Sequence, residues 1–599
     1  MTADTMNGVK ADINSLRNTT QFIIPEKKTI HQGYDIYPAF KIEGPIYNDF
    51  ASLSEWIINQ KKNIVIDGYS GVYWEQFRME LNQQLIENGK TVHWINIDTA
   101  LKTPEIIDRL IADNLQLNDP VFGKQYEGDL ADFFDTEKLG LISPINDELT
   151  IIYGCGAALV NLDAKVIYID VPKNEIQFRS RAGHIFNLGA ATTTDPKIQY
   201  KRFYFIDWPV LNKHKQQLLA SIDIIVDEQR IKAISWMNGT DFRSGLARMS
   251  VHAFRARPWF EPGVWGGQWI RENINGLNQE VINYAWSFEL IAPENGIIME
   301  NEGRLLEVSF DMLLFHNNKA ILGKAAERFG YNFPIRFDFL DTMDGDNLSL
   351  QCHPSVAYTK EHFGENFTQD ETYYILDHHQ DAKVYLGFQE NINQEEFRTV
   401  LENSFKHHNQ VNVTDYVQTF DSQKHELFLI PNGTVHSSGK NNLVLEISAT
   451  PYIFTFKMYD WLRPDLNGKP RPLNIDRAFA NLNFERKGQI VSDTLIAKQT
   501  VLLQDDDWQI VNLATHPDHF YAVRRFEFDS TIKAHTEGQC HILSLVEGES
   551  IIVKTGNSEQ EIHYAETFII PADAVHYELI NKGKNRAKVI TAFVKEECC

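Results

Sequence analysis

Two rhythms of apolar and polar residues divide the 599-residue chain. Through about residue 245, short apolar runs alternate with helical stretches. The runs are NIVID (63–67), TVHWINID (91–98), TIIYG (150–154), KVIYIDV (165–171), RFYFID (202–207) and IDIIVDE (222–228). WEQFRMELNQQLIENG lies between the first two and reads as a helix closed by Gly89. Short apolar strands separated by helices predict a mostly parallel sheet covered by helices. From about 250 onward, strands follow one another quickly, with Gly, Pro and Asn turns between them. Examples are LLEVSF (305–310), NLSLQCH (347–353), ETYYILD (371–377), AKVYLGF (382–388), HELFLIP (425–431) and NLVLEIS (442–448). That pattern predicts antiparallel sandwiches or small barrels, interrupted by a helical insertion at 393–408. After the proline-marked stretch 463–475 a second all-β unit follows, with HFYAVRRFEF, QCHILSLVEG, ESIIVKTG and AKVITAFVK. The expected organisation is α/β plus all-β: residues 1–245, 246–480 and 481–599. Ile430-Pro431…His436 and Ile570-Pro571…His576 suggest that the two β units are a degenerate duplication.

Charge narrows the partners. With 57 Lys+Arg against 81 Asp+Glu, the net charge is −24, which disfavours sequence-independent nucleic-acid binding and anionic membranes. A small anion held by a few local cations remains compatible. Five isolated or terminal cysteines, without a CxxC pair, are no disulfide framework or thiolate zinc site and fit a reducing cytoplasm. The N-terminus lacks an apolar signal region, and no apolar run approaches the 18 or so residues of a membrane span. The expected location is cytoplasmic.

Gln351, His353, Glu371 and His436 carry the candidate chemistry. Gln351 and His353 stand at i and i+2 in LSLQCHP, so on a strand they share a face. Glu371 opens ETYYILD, and His436 follows the tight turn Pro431-Asn432-Gly433. Two imidazoles, a carboxylate and an amide oxygen suit one Zn²⁺ per chain, with a position left for substrate or water. On spacing alone, structural histidines are the competing reading.

The wording around these residues is more specific. From Phe333 the chain reads FPIRFDFLDTMDGDNLSLQCHPSVAYTKEHFG, then ETYYILD, and later IPNGTVHSSGKNNLVLEIS; upstream stand WGGQW and WSFELIAPENG. Over residues 250–595 this resembles the type I phosphomannose isomerases, cupin-fold enzymes that interconvert mannose 6-phosphate and fructose 6-phosphate through a cis-enediol. The resemblance implies Gln351, His353, Glu371 and His436 as zinc ligands and a sugar phosphate as substrate. It also implies a catalytic arginine where TFKMYDWLR places Lys457, with Arg463 as a second candidate cation. Lysine lacks the bidentate fork of arginine. Arg336 and Lys440 are further cations available to a phosphate. The loss of the arginine keeps open a non-catalytic cupin sensor of sugar phosphates that signals through the N-terminal domain. A cupin Fe(II) oxygenase fits the added Gln less well.

Two further regions carry weaker signals. His535, Glu537, His541 and His576 occur in the second β unit, but Gln539 and Cys540 disturb a cupin-like HxH, and the resemblance implies a metal-free companion barrel. IVIDGYSGVYWEQF (64–77) resembles the P-loop of uridine-kinase-like proteins through Gly68, Ser70 and Gly71. Trp74 and Glu75 stand where that loop has its lysine and its Ser/Thr. An indole and a carboxylate do not hold phosphates and Mg²⁺, so a degenerate kinase-like domain is expected. Arg179 and Arg181 are expected on an ordinary solvated basic stretch.

Overall fold

A computed structural model describes residues 16–29, 33–116, 119–145, 149–379, 381–449, 451–466, 468–469 and 471–599. The apolar runs of the first 245 residues build a six-stranded sheet. Its order is Val92–Asn96, Leu149–Tyr153, Asn63–Gly68, Ala164–Asp170, Ile224–Asp227 and Ser235–Asn238. The first five strands are parallel and the last is antiparallel. The helix Gly239–Met249 then runs through residue 245 towards the β units.

RFYFID, expected as a strand, is helical. It lies inside a continuous run of Pro196–Arg202, Phe203–Asp207 and Trp208–Leu218, whose middle piece is a π-helix. Asp195 caps the start by accepting from Lys197 N, with Pro196 at the first position. Pro209 has no N–H to give the Phe205 carbonyl, which instead accepts from Tyr126 N at 2.8 Å. A short apolar run does not distinguish a buried strand from a buried helix.

Arg179 is a second correction: it is fully buried rather than solvated. Its guanidinium pairs with Glu228 at 2.7 Å and Glu175 at 3.1 Å and lies 4.3 Å from the Tyr73 ring centroid. Two carboxylates and an aromatic face hold the charge against the cost of burial. Its Nη1 also donates to Gly71 O at 2.8 Å. Arg17 braces Glu175, and Tyr73 Oη donates to Leu16 O. A Cβ on Gly68 would meet the Trp74 ring at 3.0 Å. The space beyond the Asn63–Gly68 strand, where a P-loop cradles phosphates, is therefore filled by the chain's own side chains.

Each β unit is a pair of facing antiparallel sheets, the double-sheet arrangement of jelly rolls. In the first, a six-stranded sheet runs Leu427–Ile430, Asp370–His378, Asn442–Ala449, Arg336–Asp341, Trp286–Leu290 and Trp259–Glu261. It faces a five-stranded sheet of Val417–Asp421, Lys383–Phe388, His436–Ser438, Leu350–Cys352 and Phe456–Tyr459. The insertion is the helix Gln394–His407, capped by Asn393. The second unit pairs a six-stranded sheet with a four-stranded one.

A buried ionic joint fastens the α/β unit to the first β unit. Lys215 pairs with Asp170 and with Asp311, each at 2.9 Å, and Lys173 also pairs with Asp311. Ser309 donates to Asp170 from both N and Oγ. Among the described residues, no helix is long and apolar enough to cross a membrane.

Because the cradle is filled, ATP with Mg²⁺ should give no heat of binding in calorimetry up to millimolar concentration. Micromolar binding that is lost in Gly71→Trp would contradict this account.

Candidate metal centre

Register places the site's side chains in rows across the six-stranded sheet of the first β unit. Glu371, Ser448 and Arg336 form one row; Tyr373, Glu446 and Asp338 the next; Ile375, Val444 and Leu340 the third. Leu340, Tyr373, Ile375 and Val444 share one apolar cluster between the sheets, whereas the alternate residues Phe339, Tyr374 and Leu445 join another. The three rows therefore face inward, over an apolar floor. On the facing sheet, Gln351 is the register partner of both His436 and Lys457.

His353, Glu371 and His436 converge in this interior, each completely buried. Glu371 Oε1 lies 2.7 Å from His436 Nε2 and 3.1 Å from His353 Nε2. Each ring is turned by a second bond: His353 Nδ1 donates to Phe454 O and His436 Nδ1 donates to Thr434 O, both at 2.9 Å. With Nδ1 protonated, both Nε2 lone pairs face the carboxylate oxygen. Three such atoms close to one point in a dry interior could hold a metal ion. Glu371 is set in the same way, since its Oε2 accepts from Gln369 Nε2 at 3.1 Å. The carboxylate and the imidazoles also act on one another directly. Burial opposes a charged His353, but Glu371 more than offsets this and raises its pKa. Burial likewise opposes a charged Glu371, and the two imidazoles hold it well below the usual carboxylate range.

Gln351 lies beside the trio, with Nε2 3.3 Å from His436 Nε2 and Oε1 accepting from Ser349 Oγ. Exchanging the two ends of the amide turns its oxygen inward and lets Nε2 donate to Ser349. The donor set of two imidazoles, a carboxylate and an amide oxygen fits a zinc-type cation.

Lys457 stands opposite Gln351, half-buried. Burial pushes its pKa down to about 8, with Arg471, Lys197 and Arg463 adding repulsion against the pull of Asp460. Arg463 lies further out, held by Asp460 at 2.7 Å and Asp346 at 3.2 Å. Lys440 pairs with Asp381 on the exterior. Arg336 sits in the Glu371 row and donates to Pro451 O.

Sequence reasoning missed Asp338 and Glu446, which are register partners one row below Glu371. Burial, together with Glu371, raises Asp338; burial, Asp338 and Glu371 raise Glu446. The available signal was a carboxylate alternating with apolar neighbours, Asp338 between Phe337 and Phe339 and Glu446 between Leu445 and Ile447. Such alternation ordinarily marks a solvent face.

In the second unit the repeated IP…His motif lands on the other face. His541 pairs with Ile570 much as Glu371 pairs with Ile430. His535 and His576 are register partners but are exposed, while Ala534 and Tyr577 face the core. A one-residue slip turns every side chain over. His541 bonds to Tyr577 Oη at 2.8 Å.

Residues 49–251 match a family model described as a domain of unknown function, DUF8485. The chain is 21% identical to a mannose-6-phosphate isomerase of Bacillus subtilis over 305 residues, 51% of this chain and 89% of that protein. It is 25% identical to a probable mannose-6-phosphate isomerase of the same organism over 334 residues, 54% and 94% of the two chains. The crystal structure of a Bacillus subtilis mannose 6-phosphate isomerase superposes with a TM-score of 0.47 at 18% identity, covering 57% of this chain and 99% of that one.

If the trio holds a metal, purified protein should carry about one zinc per chain by elemental analysis. His353→Ala and His436→Ala should each remove most of it while circular dichroism stays unchanged. Gln369→Leu, which frees Glu371 Oε2, should weaken affinity about 10–100-fold.

Proposed function

We propose that the protein is a zinc-dependent aldose–ketose isomerase that interconverts mannose 6-phosphate and fructose 6-phosphate. The observation that carries this reading is the convergence of His353 Nε2, His436 Nε2 and Glu371 Oε1, each oriented by its own second bond. The similarity of about half the chain to mannose-6-phosphate isomerases supports the choice of reaction.

In this reading Gln351, His353, Glu371 and His436 hold the zinc. A zinc ion held there supplies Lewis-acid stabilisation of the negative charge that grows on the sugar oxygens. The remaining work falls to the chain's own groups. Moving a proton between C1 and C2 needs a carboxylate or another base within reach of both carbons. Glu446, inward-facing and one row from Glu371, is placed to carry that proton, with Asp338 opposite it. Lys457 and Arg463 supply positive charge for the phosphate group, as does Arg471. The buried walls around Tyr373 exclude water from the reacting carbons.

A coupled assay for fructose 6-phosphate should detect turnover that a chelator abolishes and added zinc restores. Zinc-loaded protein that binds the sugar phosphate without turning it over would favour the sensor reading instead. Glu446→Gln should lower kcat by roughly 10²–10⁴-fold with zinc content retained. Lys457→Met should raise KM about tenfold or more, the effect of removing one charge-assisted hydrogen bond to phosphate.

A further inference from the structure

Among the described residues, the second β unit carries one sheet edge that is left bare. Its six-stranded sheet runs Gln499–Gln504, Trp508–Leu513, Tyr521–Phe528, Ala587–Val594, His541–Glu547 and Thr567–Ile570. The far edge is closed, because Phe254 and Ile569 exchange backbone bonds of 2.8 and 3.1 Å. The near edge, Gln499–Gln504, is exposed along its whole length, with Val501 at 50%, Leu502 at 47% and Leu503 at 60%. Register makes this edge the end of an interior row. Leu545, Val589, Phe526, Ile510 and Leu503 follow one another across the sheet. The first four form or pack against the core of the unit. The row then runs on to Leu503 without cover.

An exposed apolar edge is a template for another strand, and proteins blunt such edges with charge or proline. The edges of the facing four-stranded sheet follow that rule, with Lys533 on Thr531–His535 and Glu559 and Glu561 on Ser558–His563. Gln499–Gln504 has neither charge nor proline. Its charges stand just outside it and are of opposite sign: Lys498 precedes the strand, and Asp505, Asp506 and Asp507 follow it. Asp505 accepts from the N–H groups of Asp507 and Trp508, and Asp507 from those of Ser530 and Thr531. Lys498 and Asp506 are exposed and have no ion pair among the described residues.

A strand with a cation before it, a carboxylate after it and an apolar middle is complementary to itself in reverse. In an antiparallel pair related by a two-fold axis, the residue on the axis faces its own copy. With the axis at Leu502, Leu502 faces Leu502, Val501 faces Leu503, and Lys498 comes opposite Asp506 at both ends. An axis at Val501 would instead set Thr500 against Leu502 and Gln499 against Leu503. Leu502 is also the extra residue of a bulge, which twists the edge; an axis through the bulge gives both copies the same twist.

We propose that Gln499–Gln504 is a homodimer contact, pairing antiparallel with the same strand of a second copy about a two-fold axis at Leu502. The six-stranded sheet then continues from one copy into the other. The contact uses none of the metal-site residues and does not depend on the isomerase reading.

Sedimentation of the full-length protein tests this. Wild type should show twice the chain mass, and hydrogen exchange over residues 499–504 should slow as protein concentration rises. Leu502→Lys, which sets two ammonium groups face to face, should give a monomer with unchanged circular dichroism. Lys498→Asp and Asp506→Lys each oppose like charges at both ends and should raise the dimer dissociation constant about tenfold. Combining Lys498→Asp with Asp506→Lys should return it to near wild type. A wild type that stays monomeric up to about 100 µM leaves the edge to a different partner and overturns the proposal. A dimer that survives Leu502→Lys uses another surface and overturns it too, as does a dissociation constant unchanged by both single charge reversals.

Discussion

Three acceptor atoms pointed at one another in a water-free interior are the constraint around which the β units are arranged. Glu371 Oε1 lies 2.7 Å from His436 Nε2 and 3.1 Å from His353 Nε2, where low dielectric makes every charge count. Their fixed geometry comes from groups that are not donors to the centre. The Phe454 carbonyl holds His353, and the Phe454 N–H donates to Gln369 Oε1, whose amide in turn orients Glu371. Phe454 is itself stacked on Phe363 at 4.9 Å and on Phe122 of the α/β unit at 6.2 Å. The orientation of two ligand side chains therefore traces back to an aromatic contact between domains.

That contact lasts only if the domains do not slide. Lys215 and Lys173, buried against Asp170 and Asp311, make sliding costly, because separating them would strand charge in an apolar joint. Breaking one partner of such a pair typically costs about 3–5 kcal/mol. The α/β unit is accordingly a fixed wall of the site rather than a hinged lid. The turn after its Asn63–Gly68 strand is packed by Arg179 and Trp74. The α/β unit is here a scaffold that presents Phe122 and Tyr200 to its neighbour.

The legible parts of this arrangement were those whose chemistry is local in sequence. The i, i+2 spacing of Gln351 and His353, the strand start at Glu371 and the turn before His436 allowed convergence, and the resemblance of the surrounding wording singled out the set, of which His353, Glu371 and His436 meet. The parallel sheet was legible because each strand is an apolar run bounded by helical periodicity. RFYFID was not, since a fully buried helix and a buried strand share the same apolar composition, and Pro209 acts through a tertiary bond from Tyr126 to Phe205 O. Arg179 read as a solvent residue because its partners, Glu228 and Gly71, are distant in sequence. Asp338 and Glu446 were not legible as site residues, because alternation reports period and not direction. The outward turn of His535 and His576 was not legible for the same reason: one residue of slip exchanges inside for outside, and spacing within a motif does not reveal it.

Under the proposed function, the charged groups of the first β unit bear on which way a phosphorylated sugar would lie. Asp338 and Glu446 stand one row deeper than Glu371, directly above the apolar floor. A phosphate dianion pushed to that depth would lose its hydration beside two carboxyl groups that burial and Glu371 hold towards the protonated form. Lys457, on the row of Gln351, offers a charge-assisted hydrogen bond instead. In that reading the lysine takes the phosphate and the uncharged sugar carbons lie towards the three donor atoms.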